Sequence, residues 1–247
     1  MKSIMKLIIA DTYEDLSRMA ADNVLQLVKS IEHPLICTAS GDSPAGLYRE
    51  LVDRGAHKQL DIDPLHFVGL DEWVGMDGND EGSCRYHLNQ QLFYPLKVQE
   101  EKICFFNGRA KDLNVECEKV ETFIQQHGGI DIAIVGLGLN GHVGMNEPGT
   151  PQTIRSHVAD IDPLTQQVGQ KYFTKKQPLS HGITLGLATI MEARSIFLLV
   201  SGSHKAAIVQ KILNEEVSGE LPAILLRQHP SLMVYLDKEA AALIKPF

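Results

Sequence analysis

Asp71 and Glu72 close an apolar run, Leu65 to Leu70, and stand directly before Trp73. Neighbouring residues on a strand point to opposite faces, so one of the two carboxylates is expected to face a cleft. If that residue is Asp71, it can take a proton from a carbon next to a carbonyl. Acidic residues at a strand end also serve as caps or solvated turns, and this segment alone leaves both readings open.

The segment GLGLNGHVGMNEPG, residues 136 to 149, is the richest in chemistry and follows the strongest apolar run, Asp131 to Val135. Its glycines, Gly138 among them, allow backbone to approach a ligand closely. His142 and Glu147 put an imidazole and a carboxylate in the same loop, a pair suited to shuttling protons to and from oxygen atoms. The spacing of Gly136, Gly138 and Gly141 matches G-x-G-x-x-G. The His-Val-Gly-Met-Asn-Glu-Pro continuation opens no helix, however, so a dinucleotide fingerprint is not expected.

Two further turns could receive an anion. Ser40-Gly41-Asp42-Ser43-Pro44 follows the run Leu35 to Ala39 and precedes a helical pattern. It offers two hydroxyls, a glycine and a helix N-terminus. Its other reading is a plain cap, with Ser43 at the N-cap and Pro44 next. Ser201-Gly202-Ser203-His204-Lys205 likewise leads from the run Ile196 to Val200 into a helix, where Lys205 is either a phosphate ligand or a surface lysine.

The elements that must position these residues are legible from periodicity. Apolar runs are expected as strands at 7 to 10, 35 to 39, 65 to 70, 103 to 106, 130 to 137, 196 to 200 and 232 to 236. Helical spacing falls between several of them, at 13 to 31, 45 to 54, 84 to 93, 115 to 127 and 205 to 214. Alternating strands and helices predict a doubly wound, mainly parallel α/β sheet flanked by helices, a Rossmann-like architecture. In such sheets ligands bind beyond the carboxyl ends of strands, where all four turns lie. No linker or repeat divides the chain, so residues 1 to 247 are expected to form one domain. The stretch from Gly149 to Ser180 has no sustained periodicity and is expected to be a loop or a lid.

Composition narrows the partners. A formal charge of −8 argues against a general nucleic-acid or anionic membrane surface and requires any anion to be held by a local pocket. Cys37, Cys84, Cys104 and Cys117 form no C-x-x-C pair and are expected to be buried free thiols. The N-terminal apolar run is too short for a secretory signal or a membrane span, so a cytoplasmic location is expected. Assembly into a homo-oligomer is compatible with the sequence.

Taken in order, the segments SGDSP (40 to 44), FVGLDEWVG (67 to 75), GLGLNGHVGMNEPG (136 to 149), HGITLGLATIMEAR (181 to 194), VSGSHKA (200 to 206) and LPAILLRQHP (221 to 230) resemble the glucosamine-6-phosphate deaminase and isomerase family over almost the whole chain. In detail they are similar to its galactosamine-6-phosphate isomerase subgroup. The resemblance implies a small-molecule sugar phosphate as substrate and no metal or other cofactor. His142, assisted by Glu147, would open the pyranose ring. Asp71 would then carry a proton from C2 to C1 through an enolamine, ammonia would leave, and a ketohexose 6-phosphate would remain. By the same resemblance Ser40, Gly41, Ser43 and Lys205 occupy phosphate-binding positions. By reaction class the chain is expected to be an isomerase and deaminase, and also a hydrolase, of amino-sugar metabolism.

Three positions depart from the family pattern. Asn140 stands where some members have Asp, and it can orient His142 by a hydrogen bond without adding charge. Lys171 falls where well-known members have a phosphate-binding Arg, keeping the charge and losing the bidentate fork. Asp42 replaces a small neutral residue. Two other functions remain in view. The 6-phosphogluconolactonases share the fold and the Gly-His loop; members of that branch have Asp-Glu-Arg in place of Asp71-Glu72-Trp73 and lack Asn146-Glu147-Pro148. A sugar-phosphate sensor is the non-catalytic alternative.

Overall fold

Alternate residues of the central strands are buried in opposite cores. Leu35 and Cys37 face one side with Ala133, Val135, Ile196, Leu198 and Val200, whereas Ile36, Ile132, Ile134, Phe197 and Leu199 face the other. Strands with no wet face need a layer of helices on each side, and the chain supplies both.

The computed structural model describes residues 5–216 and 220–244; residues 1–4 of the N-terminal segment discussed above lie outside this range. In chain order the elements are β1 (Lys6–Ala10), α1 (Tyr13–Val28), β2 (Leu35–Thr38), α2 (Asp42–Ala56), β3 (His66–Gly69), β4 (Asp71–Trp73), α3 (Cys84–Leu88), β5 (Ile103–Cys104), α4 (Leu113–Gln126), β6 (Ile132–Gly136), β7 (His157–Asp160), α5 (Pro163–Gly169), β8 (His181–Thr184), α6 (Leu187–Met191), β9 (Ser195–Val200), α7 (Ala206–Asn214), α8 (Pro222–Leu225) and β10 (Leu232–Asp237). Leu16, Ala20 and Val24 of α1 and Leu47 and Leu51 of α2 close one face, and Val120, Ile124, Val209 and Ile212 of α4 and α7 close the other. Burying each of the Leu, Val and Ile side chains among these contributes roughly 1.5–3 kcal/mol. No helix among the described residues is long and apolar enough to cross a membrane.

The main sheet has the order β1-β10-β9-β6-β2-β3-β5 and is parallel at every pairing. From β2 the chain winds outward through β3 to β5, then returns to β6 on the other side of β2. The sheet therefore changes winding direction between β2 and β6, and a crevice opens at their carboxyl ends.

Several expectations are corrected by this architecture. Residues 149 to 180 are not a continuous loop, because β7 and α5 lie within them. A second sheet, antiparallel in the order β4-β8-β7, joins Asp71–Trp73 to this region. These strands are too short and too mixed in polarity for periodicity to reveal. The helix expected over 84 to 93 ends at Leu88 and continues as a π-helical turn, Asn89–Phe93. Ser43 is not a helix cap: α2 begins one residue earlier, at Asp42, behind Gly41. The four cysteines are buried and unpaired, as expected.

Candidate functional site

The turns after β2, β6 and β9 and the start of β4 meet over a cavity of about 630 Å³. Ser40, Gly41, Asp42, Ser43, Asp71, Gly138, His142, Lys171 and Lys205 all line it. Asn140 and Glu147 do not, and instead stand behind His142, linked to it by hydrogen bonds and charge.

Gly41 makes the first turn possible. Its φ of +127° is strained for any residue with a side chain, and as the N-cap it places no capping side chain over the helix end. The first N–H groups of α2 are thereby left to the cavity. Tyr13 holds the turn in place: its hydroxyl donates to the Asp42 carbonyl at 2.5 Å and accepts from Gly46 N–H at 2.6 Å.

Across the cavity, Gly202 has a φ of +92° and leads into the 3-10 turn Ser203–Lys205. Asp237, at the end of β10, accepts from the Ser201 hydroxyl at 2.5 Å and from Gly202 N–H at 3.0 Å, fixing this loop. The Lys205 ammonium donates to the Leu137 carbonyl at 2.5 Å. Burial, with the nearby charge of Lys171, lowers its pKa to about 8. Lys171 itself pairs with Asp42 at 2.5 Å on the exposed rim. This contact accounts for the departure at Asp42: its carboxylate holds Lys171 and through it the short turn that follows α5, Gln170–Tyr172.

β4 separates the two carboxylates as strand geometry demands. Glu72 is fully buried and accepts from the backbone N–H groups of Trp73, Cys84 and Arg85 at 2.8, 2.9 and 2.9 Å, so its role is to anchor α3. Asp71 faces the cavity while only 8% exposed. Burial raises its pKa to about 6, against the opposing pull of a Cys84 hydrogen bond and the charge of His142.

The His142 loop contains a chain of hydrogen bonds whose direction can be deduced. Glu147 as a carboxylate only accepts, so the Asn140 amide nitrogen, 2.7 Å from Oε2, must donate to it. The Asn140 oxygen is then turned to His142 Nδ1 at 2.7 Å, which makes Nδ1 the protonated ring nitrogen. Glu147 lies 3.6 Å from Nδ1 and acts on the ring as a charge. Burial pushes the Glu147 carboxyl up, but His142, Asn140 and Thr165 outweigh it and hold the group below the usual range. Gly138 is essential to this packing, since a Cβ there would lie 2.2 Å from the imidazole.

Sequence reading missed Tyr13, Cys84, Thr165 and Asp237. Thr165, on α5, brings its hydroxyl within 3.1 Å of His142 Nδ1 and belongs to the stretch read as irregular. The others gave no local signal, because their contacts reach across the chain. Among the described residues, no group of three or more His, Cys, Asp or Glu is placed to hold a metal ion.

A parallel, doubly wound sheet with its cavity at the winding reversal, lined by titratable side chains from several strand ends, defines an open α/β enzyme. The chain belongs to the family of glucosamine-6-phosphate isomerases/6-phosphogluconolactonase, whose pattern it matches over residues 10–234. It is 38% identical to a glucosamine-6-phosphate deaminase of Oceanobacillus iheyensis, covering 96% of this chain and 95% of the relative. A glucosamine-6-phosphate deaminase of Clostridium perfringens is 33% identical, with coverage of 98% and 100%. A solved structure described as a monomeric glucosamine-6-phosphate deaminase superposes with a TM-score of 0.93 at 34% identity, over 97% of this chain and 100% of that one. The 6-phosphogluconolactonase of Trypanosoma brucei aligns with a TM-score of 0.77 at 20% identity, over 98% and 99% of the chains, and shares the fold alone. The expected label of hydrolase is corrected by these relatives: those of high coverage and identity are deaminases, and the hydrolytic lactonases are similar only in architecture.

Proposed function

We propose that this protein isomerises and deaminates a hexosamine 6-phosphate, giving a ketohexose 6-phosphate and ammonia. The observation that carries this reading is the convergence of Asp71, His142 and the two anion-accepting turns on one cavity. The names of the full-length relatives support the same chemistry.

The substrate phosphate sits between the turns, held by the N–H groups of α2, by the hydroxyls of Ser40 and Ser43 and by Lys205, with Lys171 at the rim. His142 opens the ring with its orientation fixed by Asn140 and its cationic form stabilised by Glu147. Asp71, buried and poised near pH 6, takes the C2 proton and returns it to C1, which is aldose–ketose isomerisation. Protonation at C1 leaves an imine at C2, and addition of one water molecule to that carbon, with cleavage of its C–N bond, gives the ketose and releases ammonia.

Glucosamine 6-phosphate is the first substrate to test, because the relatives are named for it; galactosamine 6-phosphate is the second, from the subgroup that the motifs resemble. An ammonia-release assay with both, and with 6-phosphogluconolactone as a third compound, tests the assignment. Turnover of the lactone alone would overturn it. The chain acts as a single domain, and the monomeric description of one solved relative favours a monomer over a homo-oligomer, which light scattering on the purified protein measures.

A further inference from the structure

One wall of the cavity is α5, which contributes Leu164, Thr165, Val168 and Gly169, and the scheme above gives none of them a part. The helix is pinned at both ends. Asp162 caps its start, accepting from Leu164 N–H at 2.8 Å, and the Gln166 side-chain amide donates back to the Ile161 carbonyl at 2.7 Å. Beyond its other end the Gln170 side chain donates to the Gln177 carbonyl at 2.7 Å and accepts from Gln177 N–H at 3.1 Å. Gly169 lies against Trp73, two residues after Asp71, where a Cβ would come within 3.0 Å of the indole.

Thr165 sits between these ties and brings its hydroxyl to 3.1 Å from His142 Nδ1. That nitrogen carries the ring proton and gives it to Asn140 Oδ1 at 2.7 Å, so the hydroxyl oxygen is a second acceptor of the same N–H in a three-centre hydrogen bond. The two acceptors differ in kind. Asn140 belongs to the same turn as His142 and moves with it, whereas Thr165 stands on a separate helix and gives the ring an external reference. A half-turn of the ring about its bond to Cβ would lose both contacts and would exchange Nε2, the unprotonated nitrogen, for the carbon Cε1.

We propose that Thr165 is a positioning residue for His142: its hydroxyl accepts the Nδ1 proton alongside Asn140 and registers the imidazole against α5. The inference rests on the reading of His142 as the ring-opening group. Because the same helix rests on Trp73, the ring-opening group and the Asp71 base are referred to one common element, and their separation is set by α5 as well as by their own turns.

Two measurements test the inference. In protein carrying 15N-labelled histidine, the Nδ1–H proton resonance of His142, identified by its loss in His142→Gln, should move in Thr165→Val and exchange with water about three- to tenfold faster, while Thr165→Ser should keep the parent behaviour. In turnover, Thr165→Val should lower kcat about threefold with KM little changed, and Thr165→Ser should restore it. The same Thr165→Val change made in Asn140→Ala should cost at least about tenfold, because the hydroxyl is then the remaining acceptor of the pair. A resonance with unchanged position and exchange in Thr165→Val would overturn the proposal. So would an equal or smaller cost in the Asn140→Ala background, or a loss confined to KM, which would make the hydroxyl a substrate ligand. A parent protein that releases no ammonia from either hexosamine 6-phosphate counts instead against the functional reading, and the Nδ1–H resonance then decides the hydroxyl contact by itself.

Discussion

His142 Nδ1 and Asn140 Oδ1 lie 2.7 Å apart, and that contact selects the imidazole tautomer because the same amide is turned by Glu147 on its other side. A neutral amide therefore transmits orientation from a carboxylate to an imidazole. Replacing it separates orientation from charge. Asn140→Ala removes the shorter hydrogen bond to Nδ1, leaving the longer Thr165 contact to hold the ring, and should lower kcat by about 10²-fold. Asn140→Asp places a second carboxylate beside Nδ1, favours the imidazolium and should raise the His142 pKa. Proton NMR titration of the imidazole in both variants checks this, and an unchanged pKa in Asn140→Asp would show that the carboxylate pair binds a proton of its own.

Asp71→Asn should abolish exchange of the C2 hydrogen with solvent deuterium, with a loss of at least about 10²-fold, while the substrate still binds. The same change should stabilise the protein in a defined pH window. Unfolded, the Asp71 carboxyl titrates near 3.8, and folded near 6, because burial penalises its charge. Below the lower value both states hold the proton. As pH rises towards 6 the folded state retains a proton that the unfolded state has lost, so stability falls; above about 6 the full cost is present. A displacement of about two pH units corresponds to about 3 kcal/mol. The Tm advantage of Asp71→Asn should accordingly be absent below about pH 3 and reach its plateau above about pH 7. A constant difference across that range would remove burial of the charge as its cause.

The main sheet was legible because its strands are apolar on both faces and its helices amphipathic, signals that survive without knowledge of the partners. The strand-end turns at 40, 71, 136 and 201 were legible for a related reason, since glycine and polar residues directly after apolar runs mark where a parallel sheet exposes its carboxyl edge. What remained hidden was everything made by contacts distant in sequence. Asp42 read as an unwelcome charge until its pairing with Lys171 appeared, 129 residues away. Asp237, one residue beyond the strand expected at 232 to 236, gave no signal, although it fixes the Gly202 loop from 35 residues away. The small antiparallel sheet was likewise invisible, because three short strands of mixed polarity acquire meaning only when β4, β7 and β8 meet.

Asp42→Ser should improve anion binding. The Asp42–Lys171 pair is exposed on both sides, so breaking it should change stability by no more than about 0.5 kcal/mol. Its removal frees Lys171 and takes one negative charge from the rim of the anion-binding end. Inhibition by inorganic phosphate should strengthen by about three- to tenfold at low ionic strength and by less in 1 M salt, where charges are screened within about 3 Å. Identical inhibition constants for the two proteins would assign Asp42 a role in holding the turn after α5 and none in tuning the charge.

Lys205 sets the alkaline side of substrate binding. Burial and the charge of Lys171 favour its neutral form, so in the free protein it loses its proton near pH 8, well below the ordinary lysine range. A phosphate dianion can draw a full charge-assisted hydrogen bond only from the protonated form. Raising the pH through 8 should therefore raise KM while leaving kcat nearly level, as the ammonium discharges before substrate arrives. Lys205→Ala should raise KM by about 10- to 100-fold at pH 7, the value of one charged hydrogen bond. Its KM should also be flat across pH 8, since the titrating group is gone. The ratio of mutant to parent KM should consequently shrink above pH 8. If the Lys205→Ala protein kept the same upward break in KM, the titration would belong to another group and Lys205 would lose its role in setting the alkaline limit.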